Sequence, residues 1–140
     1  MKKFTVLSVL FILLITVLGT ATITAQKNQK LNSTPKAFQI FYGKFRTAVI
    51  KSDKKAVISL TRFPFEYGWD AGDEGTYSKI QFIKKYKDIF GGTNKLFAQK
   101  DPTFYVERGT FNLTNEEDAS HYIFERSGTS YKFTAIIVEP

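Results

Sequence analysis

Thr34-Pro35-Lys36-Ala37-Phe38-Gln39-Ile40-Phe41-Tyr42-Gly43-Lys44-Phe45-Arg46-Thr47-Ala48-Val49 is the stretch on which the fold turns. Its apolar residues Phe38, Phe41, Tyr42, Phe45, Ala48 and Val49 recur at i, i+3, i+4, i+7, which places them on one face of an α-helix. Each phenylalanine of that stripe contributes roughly 1.5 to 3 kcal/mol when buried, so the helix is expected to anchor the core. Proline suits the first helical position, which makes Pro35 the expected start and Ser33 or Thr34 the N-cap. Ser52-Asp53 interrupts the pattern, and Asp53 is expected to cap a second short helix over 54–61 that buries Ala56, Val57 and Leu60.

Toward the C-terminus the periodicity changes. Arg62-Phe63-Pro64-Phe65-Glu66-Tyr67 alternates imperfectly, and Pro64 confines it to an edge strand or an irregular extended segment. Residues 68–75, Gly-Trp-Asp-Ala-Gly-Asp-Glu-Gly, read as a loop. Ser78-Lys79-Ile80-Gln81 is a capping box. It opens a third helix whose apolar face takes Ile80, Ile83, Tyr86 and Phe90, widened by Phe82 and Ile89, and Gly91-Gly92 supplies its left-handed stop.

Everything beyond Lys95 is strand-like. The expected strands are 96–99, 103–114 with Gly109 as a bulge or kink, 120–126, and 130–139 after a hairpin turn at Ser127-Gly128-Thr129. Tyr122 and Phe124 lie on one face of their strand, with His121, Ile123 and Glu125 on the other. In the last strand Tyr131, Phe133, Ala135 and Ile137 oppose Ile136 and Val138, so the buried face stays open at this point. The expected architecture is α+β: three N-terminal helices packed on a curved antiparallel sheet of four to five strands.

Toward the N-terminus, Met1-Lys2-Lys3 precedes an uncharged apolar run over 4–18 and a small-residue exit, Gly19-Thr20-Ala21-Thr22-Ile23-Thr24-Ala25. This is the layout of a secretory signal over 1–25, cleaved after Ala25 or Ala21. The rival, an uncleaved membrane anchor, wants about 20 mostly apolar residues, and the dense run stops short of that. Residues 26–34 are polar and unpatterned, a disordered tether ahead of a single α+β domain over 35–140. The chain has no cysteine, which excludes disulfides, thiol catalysis, cysteine metal sites and a lipid-modified cysteine. The expected location is therefore periplasmic or extracellular, and the protein is not a lipoprotein. Of the net charge of +7, two units leave with Lys2 and Lys3, so the exported form carries +5, an ordinary solubility surface.

The Phe38-xx-Phe41-Tyr42-xx-Phe45 and Asp53-Lys54-xx-Val57-xx-Leu60 helices resemble those of the nuclear-transport-factor-2-like superfamily, which includes the SnoaL-like proteins. Tyr122-x-Phe124-Glu125-Arg126-Ser127-Gly128 running into Tyr131-Lys132-Phe133-Thr134 is similar to its closing strand pair. More narrowly, Ile58-Ser59-Leu60-Thr61-Arg62-Phe63-Pro64 and Phe82-xxx-Tyr86-xxx-Phe90 look like a bacterial exported group of unassigned function. The resemblance implies a cone, with helices closing one side of a bent sheet around a pocket. It also implies enzymes, ligand binders or dimers formed through the sheet, among which fold alone does not choose.

Candidate sites follow from the scarce chemistry. His121 is the only histidine, and with Glu125 on its face it offers an acid–base pair; Asp73 is a further carboxylate at the expected pocket mouth. Asp70, Asp73 and Glu74 cluster between glycines but lack the calcium-loop order, so neither a metal nor a cofactor is expected. Trp69, the single tryptophan, with Tyr67, Tyr86 and Asp73, is the expected ligand- or partner-binding set at the cone mouth. Nucleic-acid binding wants exposed aromatics among basic residues, and here the aromatics are needed for the core. These residues favour an exported, non-enzymatic binding module for a small apolar or amphipathic ligand or a protein partner. The alternatives are a cofactor-free isomerase- or hydrolase-type enzyme, and a homodimer formed through the sheet.

Overall fold

Helix α1, Lys36–Ile50, buries the expected stripe of Phe38, Phe41, Tyr42, Phe45, Ala48 and Val49. The computed structural model describes residues 27–140, so the expected signal segment lies outside the described residues. Pro35 takes the N-cap position, and the Thr34 hydroxyl, expected to cap, instead donates to Leu31 O at 2.7 Å. Gln39 reaches back from the first turn to donate to Thr34 O at 2.8 Å. Helix α2, Lys54–Ser59, is capped as expected by Asp53, whose Oδ1 accepts from the Ala56 amide at 3.0 Å, and it buries Val57.

The chain then forms β2, Thr61–Trp69, and β3, Asp73–Tyr77, followed by α3, Lys79–Phe90, and α4, Asn94–Ala98. Strands β4, Thr103–Glu107, β5, Thr110–Asn115, β6, Ser120–Ser127, and β7, Ser130–Val138, complete it, with β1, Lys27–Lys30, at the front. One sheet of seven strands results, in the order β1-β4-β5-β6-β7-β2-β3. Every pairing is antiparallel except β2 with β7, which is parallel.

This overturns the expectation of three N-terminal helices on an antiparallel sheet of four to five strands; the class is α+β, but the sheet is mixed and, among the described residues, the α-helices number four. Four local causes add up to the difference. Lys27–Lys30, expected as part of a tether, pairs with β4 as an edge strand. Residues 73–77, whose first three were read as loop, form a strand paired with Phe65–Trp69, and Gly72 at φ +76° closes the turn between them. Arg108 and Gly109, at φ +49° and +80°, make a two-residue turn between paired Glu107 and Thr110, so one expected strand is a hairpin. Two consecutive positive φ values are what a type I′ turn requires. The expected strand at 96–99 is helix α4, which buries Leu96 and Phe97.

Strand β2 lies inside the sheet despite Pro64. Its pairing with β7 jumps from Thr61↔Phe133 to Glu66↔Ala135, and its pairing with β3 starts at Phe65. Pro64 therefore occupies the one interval where neither neighbour needs the amide hydrogen it lacks.

The helices pack on one face of the sheet. Phe38 of α1 stacks on Phe111 at 3.9 Å, Phe82 of α3 meets Phe65 at 4.9 Å, and Phe97 of α4 meets Tyr122 at 5.4 Å. The buried face of β7 is set by a bulge. Ile123 pairs with Ala135 and Phe124 with Phe133, leaving Thr134 as the extra residue. An inserted residue reverses the alternation beyond it. Tyr131 and Phe133 consequently point to the helices and Ile136 joins them, while Ala135 and Ile137, expected beside Phe133, turn to the opposite face.

Helix α3 has its capping box, with the Ser78 amide donating to Gln81 Oε1 at 2.8 Å and the Gln81 amide to Ser78 Oγ at 3.3 Å. Its buried residues are Phe82, Tyr86, Ile89 and Phe90. Ile80 and Ile83, expected on that face, are instead 68% and 41% exposed. The periodicity was broad enough to fit either flank, and Phe63 and Phe65 pull the Phe82 flank inward through ring contacts at 5.5 and 4.9 Å.

Candidate functional site

The space between helices and sheet, where a cone would hold its ligand, is occupied by side chains. Phe45 lies 5.0 Å from Phe133 and 5.3 Å from Phe124, and Phe133 lies 4.7 Å from Phe65. All four rings are fully buried. The aromatic richness that suggested a ligand pocket is spent on filling it. Two tyrosines, Tyr42 and Tyr122, are fully buried with the phenylalanines. Tyr122 donates its hydroxyl to Ile89 O at 2.8 Å, and burial pushes its phenol up to about 12. Tyr42 is held protonated by burial as well, and its hydroxyl has no protein hydrogen-bond partner.

The titratable candidates do not converge. His121 and Glu125 share a face of β6, but four residues of strand separate them by roughly 13 Å. His121 sits on the face away from the helices, with Nδ1 3.1 Å from Thr114 Oγ1 and Nε2 3.3 Å from Glu139 Oε1, the latter without hydrogen-bond alignment. Glu125 is engaged by Arg62 at 2.6 Å. Asp73 begins β3 at the far end of the sheet, where its carboxylate and slight desolvation raise the Tyr67 phenol above its usual value, desolvation being the larger cause. Among the described residues, no group of three or more acidic or histidine side chains is placed to hold a metal ion.

The four residues expected at the mouth fall into two places. Tyr67 and Trp69 share one face of β2 with Tyr77 opposite: Tyr67 stacks on Tyr77 at 4.1 Å, and Trp69 Nε1 donates to the Tyr77 hydroxyl at 3.0 Å. Asp73 pairs with Trp69 in the same hairpin. Tyr86 is elsewhere, 6% exposed against Phe90 at 4.8 Å, with the Lys54 ammonium 5.2 Å above its ring. Tyr77 completes the hairpin cluster and was missed, because its partner Tyr67 is ten positions away and only the strand pairing joins them.

The surface with the composition of a binding site is the sheet face opposite the helices. Cross-strand pairing lines up Tyr105, Asn112, Ile123 and Ala135 across four strands, and Thr114, His121 and Ile137 in the adjoining row. These residues are partly or wholly buried and include no lysine, arginine or acid. Charge gathers around them at Glu107, Arg108, Glu66 and the Arg62–Glu125 pair. A depression of about 340 Å³ opens over Tyr105, Asn112 and Ile123, and Asn112 Oδ1 is buried there without a protein partner. The alternation of 120–126 marked His121, Ile123 and Glu125 as one face; the four-strand row that makes it a surface comes from pairing alone.

No protein-family model matches this chain, and neither a curated protein nor a solved structure does. The likeness to the nuclear-transport-factor-2-like proteins thus rests on the helix and strand residues quoted above.

Proposed function

We propose that this chain is an exported, non-enzymatic binding module that takes a protein partner on the outer face of its sheet. The observation that carries the reading is the charge-poor centre of Tyr105, Asn112, Ile123, Ala135 and Ile137 inside a charged rim. Protein interfaces share that anatomy, a core depleted of charge within a polar margin. Two further features support it: the aromatic filling of the interior leaves little room for a small ligand, and His121 and Glu125 are engaged separately.

A photo-crosslinking residue placed at Tyr105 or Ile123 in producing cells should give one discrete adduct. The same residue at exposed Thr47 on α1 should give none. Equal labelling at both faces, or no adduct at either, refutes the reading. An adduct of twice the chain's own mass selects a second reading, a homodimer through this face. The rim carries both signs, Arg62 and Arg108 against Glu66 and Glu107, as a self-complementary patch requires.

A further inference from the structure

On the helical side, remote from the sheet face, α2, α3 and the start of β2 enclose a groove of about 450 Å³. Its walls are Ile58, Phe63 and Ile83, and its rim is Lys54, Lys55 and Lys79. Ile80, one turn before Lys84, extends the apolar strip beyond the groove and is 68% exposed. No acidic residue lines the groove, and among the described residues none of the four ion pairs uses Lys54, Lys55 or Lys79. The Lys54 ammonium is held at the wall, over the Tyr86 ring. Lys132 adds a further positive charge nearby, donating to Ser59 O at 2.6 Å.

We propose that this groove docks an acidic amphipathic helix of a partner protein, its apolar residues against Ile58, Phe63 and Ile83 and its carboxylates on the lysine rim. Charge complementarity selects the sign: three ammonium groups around one apolar floor repel a basic segment and leave a neutral one without partners for the rim. Shape selects a protein segment over a lipid surface. A helix presenting side chains at i, i+3, i+4 and i+7 fills a concavity of this size, whereas a flat bilayer face leaves it empty. The site is separate from the sheet face, so each can fail while the other stands.

The test is a titration of the purified, isotope-labelled protein with a synthetic helix carrying leucine at that spacing and glutamate elsewhere, followed by NMR. Saturable shifts are expected at Lys54, Phe63 and Ile83. Raising salt from about 50 to about 300 mM should weaken binding at least about ten-fold. Ile83→Glu should abolish binding, and Lys54→Glu with Lys55→Glu should weaken it by a similar factor to the salt; all three positions are at the surface, and the circular-dichroism spectrum should be unchanged. Absence of saturable shifts, shifts centred on Ile123, or equal binding by a scrambled peptide of the same composition overturns the proposal. So does recruitment to vesicles of one part phosphatidylglycerol to three parts phosphatidylcholine that Ile80→Glu abolishes while the peptide fails to bind. Crosslinking from Ile123 should persist in Ile83→Glu, which separates this site from the sheet-face reading.

Discussion

Replacing Phe45 by alanine tests whether the interior is a packed solid or a binding chamber. Phe45 is fully buried, with the rings of Phe133, Phe124, Phe97 and Phe90 at 5.0, 5.3, 5.9 and 6.1 Å. Losing the phenyl ring forfeits about 2 kcal/mol of transfer free energy. It also leaves a void on the order of 100 Å³, which at roughly 24 cal/mol per Å³ adds about 2 kcal/mol when the neighbours stay in place. The neighbours belong to two helices and two strands, so collapse onto the gap is restricted, and the expected loss is about 4 kcal/mol. Urea unfolding reads it directly: with a slope near 1.5 kcal/mol per M, the midpoint falls by roughly 2.5 M. Phe45→Leu keeps most of the volume and should cost only about 1 kcal/mol, so it reports even where the alanine variant is too unstable to measure. The void should also admit benzene, raising the thermal midpoint of Phe45→Ala but not of the native protein. A loss below about 1.5 kcal/mol, or an equal benzene effect on the native protein, refutes the claim that the interior is filled.

The two fully buried tyrosines, Tyr42 and Tyr122, should respond oppositely to loss of the hydroxyl. Tyr122→Phe breaks the bond to Ile89 O and should cost about 1 kcal/mol, whereas Tyr42→Phe removes a hydroxyl with no protein partner and should be neutral or stabilising in the same urea assay. Alkaline stability follows from Tyr122: its folded pKa of about 12 exceeds the unfolded value of about 10, so the native state favours the protonated phenol. That contribution is complete below pH about 10 and is lost as pH rises toward 12. Tyrosinate absorbance should therefore show Tyr122 ionising only as the protein unfolds; one titration of all seven tyrosines near pH 10 on a folded protein would contradict this. Gly91→Ala should destabilise by about 1 to 3 kcal/mol, because the added Cβ meets Lys87 O at 2.5 Å although φ is an ordinary −59°. An unchanged thermal midpoint would show that the end of α3 can shift away.

Residues close in the chain, by themselves, determined the features that depend only on near neighbours. The α1 stripe, the Asp53 cap, the Ser78–Gln81 capping box and the Ser127-Gly128-Thr129 turn involve partners no more than a few positions apart, so composition and spacing expose them. Tertiary structure decided the rest. Lys27–Lys30 carries no hydrophobic signal because an edge strand buries almost none of its side chains, and its pairing with Thr103–Val106 is a contact across more than seventy residues. Pro64 argued against an interior strand and was right about its amide, but only the interrupted register with β7 shows that the sheet tolerates it there. The bulge at Thr134 reverses which residues of β7 face the helices, and no alternation within one strand can reveal a residue that its partner skips. The same holds for function. Phenylalanines spaced for a helix face describe a lining and a filling equally well, since the volume between them is fixed by where α1, α3 and the sheet meet. The charge-poor sheet face and the lysine-rimmed groove likewise draw their residues from segments far apart in the chain, brought together by burial of the core.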